Sequence, residues 1–105
     1  MARMSREKGA RGEREVADIL KAHGYDAARN ARNGLTAEDV AHAVPGLWFE
    51  VKRRERLAIL EACRQATEDA LEGSIPVVAF RSNREPWRVV LTAEDFLYLI
   101  DKGEK

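Results

Sequence analysis

The spacing of apolar residues divides the chain into eight predicted elements. Residues 6–23 carry apolar side chains at helical intervals and are followed by Gly24, which is typical of a helix C-terminus. Residues 25–32 predict a first strand that is weak in β-branched residues, and residues 39–44 and 47–52 predict two more. Pro45 and Gly46 between the last two indicate a hairpin turn.

The second half of the chain alternates between helix and strand patterns. Residues 57–71 repeat apolar positions at near-helical spacing, and Gly73 follows as a stop. Residues 75–80 form an unbroken apolar run, as expected for a strand buried on both faces, and residues 87–91 predict a fifth strand. Thr92 and Asp95 resemble a capping box that begins a short helix over 93–101. The predicted order is α-β-β-β-α-β-β-α, an α/β fold with a central mixed β-sheet of about five strands flanked by helices.

The hairpin geometry brings three charged residues together. With a two-residue turn at Pro45 and Gly46, residues whose numbers sum to 91 lie opposite each other, so Asp39 faces Lys52. Because strand side chains alternate with period two, Glu50 shares this face and lies diagonal to Asp39, within roughly 8 Å. By the same alternation, His42 points away and is rejected as a general base.

Two carboxylates beside one ammonium group suit the hydrolysis of a phosphodiester. Carboxylate oxygens of Asp39 and Glu50 are ligands that Mg²⁺ favours, and the backbone carbonyl of Val51 is available to the same ion. Lys52 is placed to orient the attacking water or to stabilise the phosphate. The alternative is an ordinary cross-strand ion pair between Asp39 and Lys52, worth under about 1 kcal/mol, with Glu50 as a solvated neighbour.

Composition narrows the class of protein. The 105 residues are enough for one domain, 1–105, and 45% apolar with 34% charged residues is typical of a globular protein rather than a disordered tail or membrane protein. The charged start of the chain and the single Cys63 predict a cytoplasmic protein without an export signal. The net charge of zero conceals a basic first half, since residues 1–56 hold 12 Lys/Arg against 9 Asp/Glu. The excess of basic residues in this half favours a polyanion as a binding partner. The alternative interpretation is that these charges form an ordinary mixed, solvated surface.

The motifs resemble those of a known nuclease superfamily. Asp39, ten intervening residues, and then Glu50-Val51-Lys52 resemble the PD-(D/E)xK pattern, with Glu38 where a proline often stands. Residues 8–16 (KGARGEREV), 21–25 (KAHGY), Arg29, 75–79 (IPVVA) and 87–88 (WR) resemble archaeal-type Holliday junction resolvases and related phage endonucleases. The resemblance covers most of the chain and implies a restriction-endonuclease-like fold.

The resemblance also implies roles for individual residues. It places Glu13 on the first helix in the metal site with Asp39 and Glu50, and it places Arg29 on a phosphate. Gln65 matches a glutamine that approaches the active-site lysine or the attacking water. Further arginines are candidates for DNA phosphates, because their guanidinium groups match phosphate oxygens: Arg11, Arg14, Arg32, Arg53 and Arg54. For each of these the other interpretation is a solvated surface side chain.

We therefore expect an endodeoxyribonuclease that uses Mg²⁺, with Mn²⁺ as a possible substitute, in DNA recombination and repair. Catalysis would rest on Glu13, Asp39, Glu50 and Lys52. A homodimer is expected, because paired nicks across a four-way junction need two active sites and one chain supplies one. Two alternatives remain at this point: a less structure-selective phage-type endonuclease or nickase acting on branched or duplex DNA, and a non-catalytic DNA-binding module of the same fold.

Overall fold

A computed structural model describes residues 2–29, 40–41 and 44–103. The elements in chain order are α1 (Ala2–Ala22), β1 (Ala28–Arg29), β2 (Val40–Ala41), β3 (Leu47–Arg53), α2 (Ile59–Asp69), β4 (Ile75–Arg81), β5 (Arg88–Val90) and α3 (Ala93–Gly103). Helix α1 begins four residues earlier than the apolar spacing indicates. Its C-terminus is as predicted: Gly24 has a φ of 97°, and the Tyr25 N–H bonds the Leu20 carbonyl at 3.1 Å.

The main sheet is mixed and has three strands in the order β3-β4-β5. Strands β3 and β4 run parallel from the Leu47–Ile75 pair to the Arg53–Arg81 pair, and β5 is antiparallel to β4. Helix α2 connects the two parallel strands, as a parallel pair requires. The mixed sheet with flanking helices is confirmed.

The prediction of about five strands in one central sheet is wrong for the described part of the chain. Strands β1 and β2 pair only with each other there, antiparallel and over two residues each. The segment between Tyr25 and Arg32 lacks β-branched residues, so its local preference for pairing in a central sheet is weak. Of the strand predicted over 39–44, the described residues Val40–Ala41 form β2.

The turn before β3 lies at Pro45 and Gly46 as predicted, whereas the predicted hairpin pairing of β2 with β3 is not among the strand pairs of the described residues. The Leu47 N–H bonds the Val44 carbonyl at 3.0 Å, and Gly46 has a φ of 86°, a value that suits glycine after proline in a type II turn. Asp39, His42 and Ala43 lie outside the described residues, so the predicted pairing of Asp39 with Lys52 lies there too. Val40 is fully buried beside Phe49 and Val51, which is the face that the alternation assigns to it.

Two apolar clusters lie on opposite faces of the main sheet. The α1-side core consists of Val16, Ala17, Ala27, Val40, Phe49, Val51, Val77 and Ala79. The α2-side core consists of Ala62, Ala66 and Val78, with Leu57, Cys63, Phe80 and Val90 packed against it. Strand β3 is therefore covered by α1 on one face and by α2 on the other, as expected for an α/β layer architecture.

Helix α3 begins where Thr92 predicts, since the Asp95 N–H bonds the Thr92 hydroxyl at 3.1 Å. Unlike α2, it has no buried side chain. Among the described residues, no helix has both the length and the apolar character that crossing a membrane requires.

Candidate active site

Strand β3 presents Trp48, Glu50 and Lys52 on the face that α2 covers. Their neighbours Phe49 and Val51 belong to the α1-side core, so alternation directs the even-numbered side chains to the opposite face. The pairing with β4 agrees, because Glu50 lies beside Val78, which belongs to the α2-side core. The prediction that Trp48, Glu50 and Lys52 share one face is thus supported by the packing on both sides.

Glu50 is a buried carboxylate, with 4% of its surface exposed. The Trp48 indole N–H, also buried, donates to Glu50 Oε1 at 3.3 Å. A buried carboxylate is costly unless hydrogen bonds or a cation compensate it, and such groups are concentrated at functional sites. Lys52 follows two residues later, half-buried, at the point where β3 approaches its carboxyl end.

Glu13 lies on the sheet-facing side of α1. It is half-buried and precedes the buried Val16 and Ala17 by three and four residues, which places all three on one helix face. The sequence alone left this orientation open. Glu13 therefore faces the sheet from the α1 side, whereas the Glu50 side chain projects to the α2 side.

The donor chemistry of this region fits a hard divalent cation. Glu50 supplies carboxylate oxygens, the ligands that Mg²⁺ and Mn²⁺ prefer, and Val51 between Glu50 and Lys52 supplies a backbone carbonyl. Glu13 faces the sheet from the other side, and the described residues do not bring its carboxylate beside that of Glu50. No group of three or more His, Cys, Asp or Glu side chains able to hold a metal occurs within residues 2–29, 40–41 and 44–103. Asp39, the third predicted carboxylate, is outside those ranges.

Three of the predicted DNA-binding arginines are exposed in the described structure. Arg11 and Arg14 lie on α1, and Arg54 follows β3. Guanidinium groups in such positions are accessible to phosphate oxygens. Arg29 is the second residue of β1, and only its backbone is described, whereas Arg32 lies outside the described residues.

Two other predicted residues have surroundings that the sequence did not indicate. Arg53 has only 9% of its side chain exposed, and its Nε lies 3.7 Å from Glu15 Oε2, so its charge is used within the fold. Gln65 is on the exposed side of α2, next to the buried Ala66. Its predicted approach to Lys52 stays a prediction.

Sequence reasoning missed Glu15. This α1 residue accepts hydrogen bonds from Arg81 Nη1 at 2.6 Å and from the Trp87 indole N–H at 3.0 Å. Its partners are 66 and 72 residues away along the chain, and no local pattern reveals such contacts. A weak signal exists in Gly12, one turn earlier on α1, because a glycine inside a helix often marks a close approach of another element.

Comparisons with known proteins agree with this geometry. The family described as phage putative PDDEXK endonuclease matches residues 4–105. Among solved structures, the chain is similar to Archaeoglobus fulgidus Hjc, a Holliday junction resolvase, with 29% sequence identity and a TM-score of 0.58. That match covers 80% of this chain and 72% of the resolvase chain. No curated protein matches the chain.

The family match spans nearly the whole chain. PD-(D/E)xK nucleases generally use divalent metal ions, which is consistent with the carboxylate donors described above. The similarity to a resolvase structure supports the same assignment independently, through the arrangement of the backbone. The chain therefore belongs to the phage PD-(D/E)xK endonuclease family.

Proposed function

We propose that this chain is a Mg²⁺-dependent, structure-specific DNA endonuclease of the Holliday junction resolvase type, acting as a homodimer. The observation that carries the proposal is the buried Glu50 two residues before Lys52 on β3, in a fold similar to a resolvase. A surface ion pair would not need a carboxylate with 4% exposure, so this placement favours a binding role for Glu50.

The reaction is the hydrolysis of one phosphodiester per active site. The oxygen of a water molecule attacks phosphorus, one P–O ester bond breaks, and the departing oxygen takes up a proton. Asp39, Glu50 and the Val51 carbonyl are the groups that would hold the metal, and Glu13, approaching from the α1 side of the sheet, would complete the carboxylate set. When bound, Mg²⁺ supplies charge neutralisation at the phosphate and lowers the pKa of water.

Lys52 is placed to act on the attacking water or on the phosphate. Its ammonium group offers three donors, and its half-buried position makes each charge–dipole interaction stronger than in bulk solvent. Arg29 would hold the scissile phosphate, and Arg11, Arg14 and Arg54 would contact neighbouring phosphates. Arg32 would be a further phosphate contact, Gln65 would have an auxiliary role toward Lys52 or the attacking water, and Arg53 serves the fold through Glu15 instead of the predicted phosphate contact.

A second candidate function is a phage-type endonuclease or nickase with little preference for branched DNA. The description of the matching family favours it, because that description names an endonuclease and no junction. The two candidates share the same chemistry and differ in the DNA shape that is cut. They also differ in whether two copies must act together.

The homodimer is supported by the outer side of α3. Leu99 and Asp95 are half-buried and line a cleft with Gly46 and Ile75, whereas the side chains on the other side are exposed. The exposed fractions are 51% for Phe96, 55% for Leu97 and 40% for Ile100. Apolar side chains grouped in this way commonly mark an interface.

A second copy of the chain fits α3 in an antiparallel arrangement. A twofold axis near Tyr98 would place Phe96 of one copy beside Ile100 of the other, so that the same patch serves both subunits. The first turn of α3 contains Glu94 and Asp95 and its last turn contains Lys102. In an antiparallel pair, the acidic first turn of α3 in one copy lies beside the basic last turn of α3 in the other. The two helix dipoles are then also aligned favourably.

A supercoiled plasmid with an extruded cruciform tests the junction and the dimer in one assay. We expect the wild type with Mg²⁺ to produce linear plasmid, because two cuts in one binding event sever both strands. The double variant Phe96→Glu/Ile100→Glu should be a monomer by light scattering and should give mainly nicked circles. Both positions are exposed, so the fold should survive, as circular dichroism will verify.

The outcomes separate the candidates. Nicked circles from the wild type, at equal rates with and without the cruciform, would support the nickase instead. Linear product and dimer mass that persist in the double variant would exclude α3 as the interface.

A further inference from the structure

A charged cluster joins α1 to the carboxyl ends of the parallel strands beside the candidate active site. We call Glu15, Arg53, Arg81 and Trp87 the Glu15 cluster. Glu15 Oε1 accepts from Arg81 Nη1 at 2.6 Å and from Trp87 Nε1 at 3.0 Å, and Oε2 faces Arg53 Nε at 3.7 Å. One carboxylate thus contacts the last residue of β3, the last residue of β4 and the segment before β5.

The cluster fixes α1 at very short range. A Cβ added to Gly12 would lie 3.0 Å from Arg53 Cβ and 3.3 Å from Trp87 Cη2, so the helix backbone nearly touches these side chains. On the strand side, Arg53 pairs with Arg81, and the Arg54 N–H continues the ladder to the Arg81 carbonyl at 3.0 Å. Helix and strands therefore have little freedom to shift relative to each other here.

This arrangement costs more free energy than a contact that served only stability would need to. Two guanidinium groups surround a single carboxylate, and Arg53 Nε and Arg81 Nε are both buried without a hydrogen-bond partner among the described residues. Buried donors that lack partners cost free energy, and a well-packed apolar contact would avoid that cost. Local arrangements that sacrifice stability are concentrated at functional sites.

The cluster lies next to the candidate active site without entering it. Arg53 follows Lys52 directly, but alternation turns Arg53 toward α1 and Lys52 toward α2. Glu13 is two residues before Glu15 on the same helix. Holding Glu15 therefore sets the position of Glu13 on α1 and of the Glu50–Lys52 segment on β3 at the same time.

We propose that Glu15 is a positioning residue: through Arg53, Arg81 and Trp87 it fixes the distance between the Glu13 carboxylate on α1 and the Glu50–Lys52 segment of β3. This inference rests on the proposed function, because it assigns Glu15 a role toward the metal and DNA site given above. Glu15 itself touches no reacting atom.

The test compares Glu15→Gln with Val16→Ala. Glutamine keeps the shape of Glu15 and an acceptor for Trp87 but removes the charge that both arginines face. Val16→Ala weakens the packing of α1, one residue further along, without altering the Glu15 cluster. The variants are compared at a temperature where thermal melts show each to be folded.

Two readouts are used. Titration calorimetry with Mn²⁺ on the DNA-free protein should show about tenfold weaker binding for Glu15→Gln and unchanged binding for Val16→Ala. Cleavage at saturating DNA should show a kcat roughly tenfold to 100-fold lower for Glu15→Gln, with KM little changed. In a double-mutant cycle, adding Arg81→Gln to Glu15→Gln should cause little further loss, because both changes break one contact.

The results distinguish a failure of this inference from a failure of the proposed function. If the wild type binds Mn²⁺ and cleaves DNA, but Glu15→Gln matches Val16→Ala in both readouts, the cluster only supports the fold and the inference is overturned. If the wild type binds Mn²⁺ without cleaving DNA, the proposed function is wrong. The Mn²⁺ affinities of Glu15→Gln and Val16→Ala then still decide whether Glu15 is a positioning residue. A wild type that binds no Mn²⁺ overturns both.

Discussion

Replacing Lys52 by alanine is expected to lower the rate of DNA cleavage by about 10³-fold at saturating Mg²⁺ and DNA. The ammonium group is half-buried on the same strand face as Glu50, and water would replace it poorly as a donor to the reacting atoms. The affinity for DNA should change little, because one lysine–phosphate contact supplies only a small part of the binding free energy of a protein that contacts several phosphates. Single-turnover cleavage and filter binding measure the two quantities separately.

Lys21→Ala is the matched control for Lys52→Ala. Lys21 is exposed in the last turn of α1, so the same change in charge and side-chain size should leave the rate within about twofold. Lys52→Arg should rescue little, since a planar guanidinium does not reproduce the compact ammonium charge. Cleavage by Lys52→Ala at the rate of the Lys21→Ala control would remove Lys52 from the active site.

Replacing Gly12 by leucine is expected to lower the free energy of unfolding by about 3 kcal/mol. Even a single added carbon would lie 3.0 Å from Arg53 Cβ, and leucine adds three more that must enter the space of Arg53 and Trp87. For a domain of about this size, such a loss lowers Tm by roughly 12–20 °C. Urea denaturation and calorimetry measure the two values.

Gly103→Leu is the control for this change. It introduces the same side chain into a helix where a Cβ meets nothing within 4 Å, so stability should change by less than about 1 kcal/mol. Equal Tm values for Gly12→Leu and wild type would mean that α1 does not pack against β3 as closely as described. The leucine side chain should also push α1 away from Arg53 and Trp87 and so separate the Glu15 cluster, because the α1 backbone lies nearest to these two side chains at Gly12.

Long, regular patterns were sufficient to predict much of this fold. The unbroken apolar run of β4 and the apolar spacing of α1 and α2 placed these elements close to their actual bounds. Alternation along β3 also placed Glu50 and Lys52 on one face. These features follow from local periodicity, which the sequence carries directly.

Features that depend on tertiary packing were not predictable in the same way. The three-strand main sheet of the described residues is one example, because the pairing of β1 and β2 in a sheet of their own depends on contacts between segments whose local preferences are weak. The burial of Glu50 and the hydrogen bond that it accepts from Trp48 depend on the packing of α2 against β3. The Glu15 cluster depends on Arg81 and Trp87, which are 66 and 72 residues away along the chain, and its local signal in Gly12 does not identify Glu15.

The central claim is that Glu50 belongs to the metal site of a DNA endonuclease. The most direct test is cleavage of a labelled four-way junction by wild type and Glu50→Gln, each with Mg²⁺ and with EDTA. Glutamine keeps an acceptor for the Trp48 N–H, so folding and junction binding should persist in the variant. We predict cuts only by the wild type and only with Mg²⁺, with a loss of at least about 10³-fold in Glu50→Gln. Equal cutting by both proteins, cutting in EDTA, or tight binding of the junction without any cutting would contradict the claim.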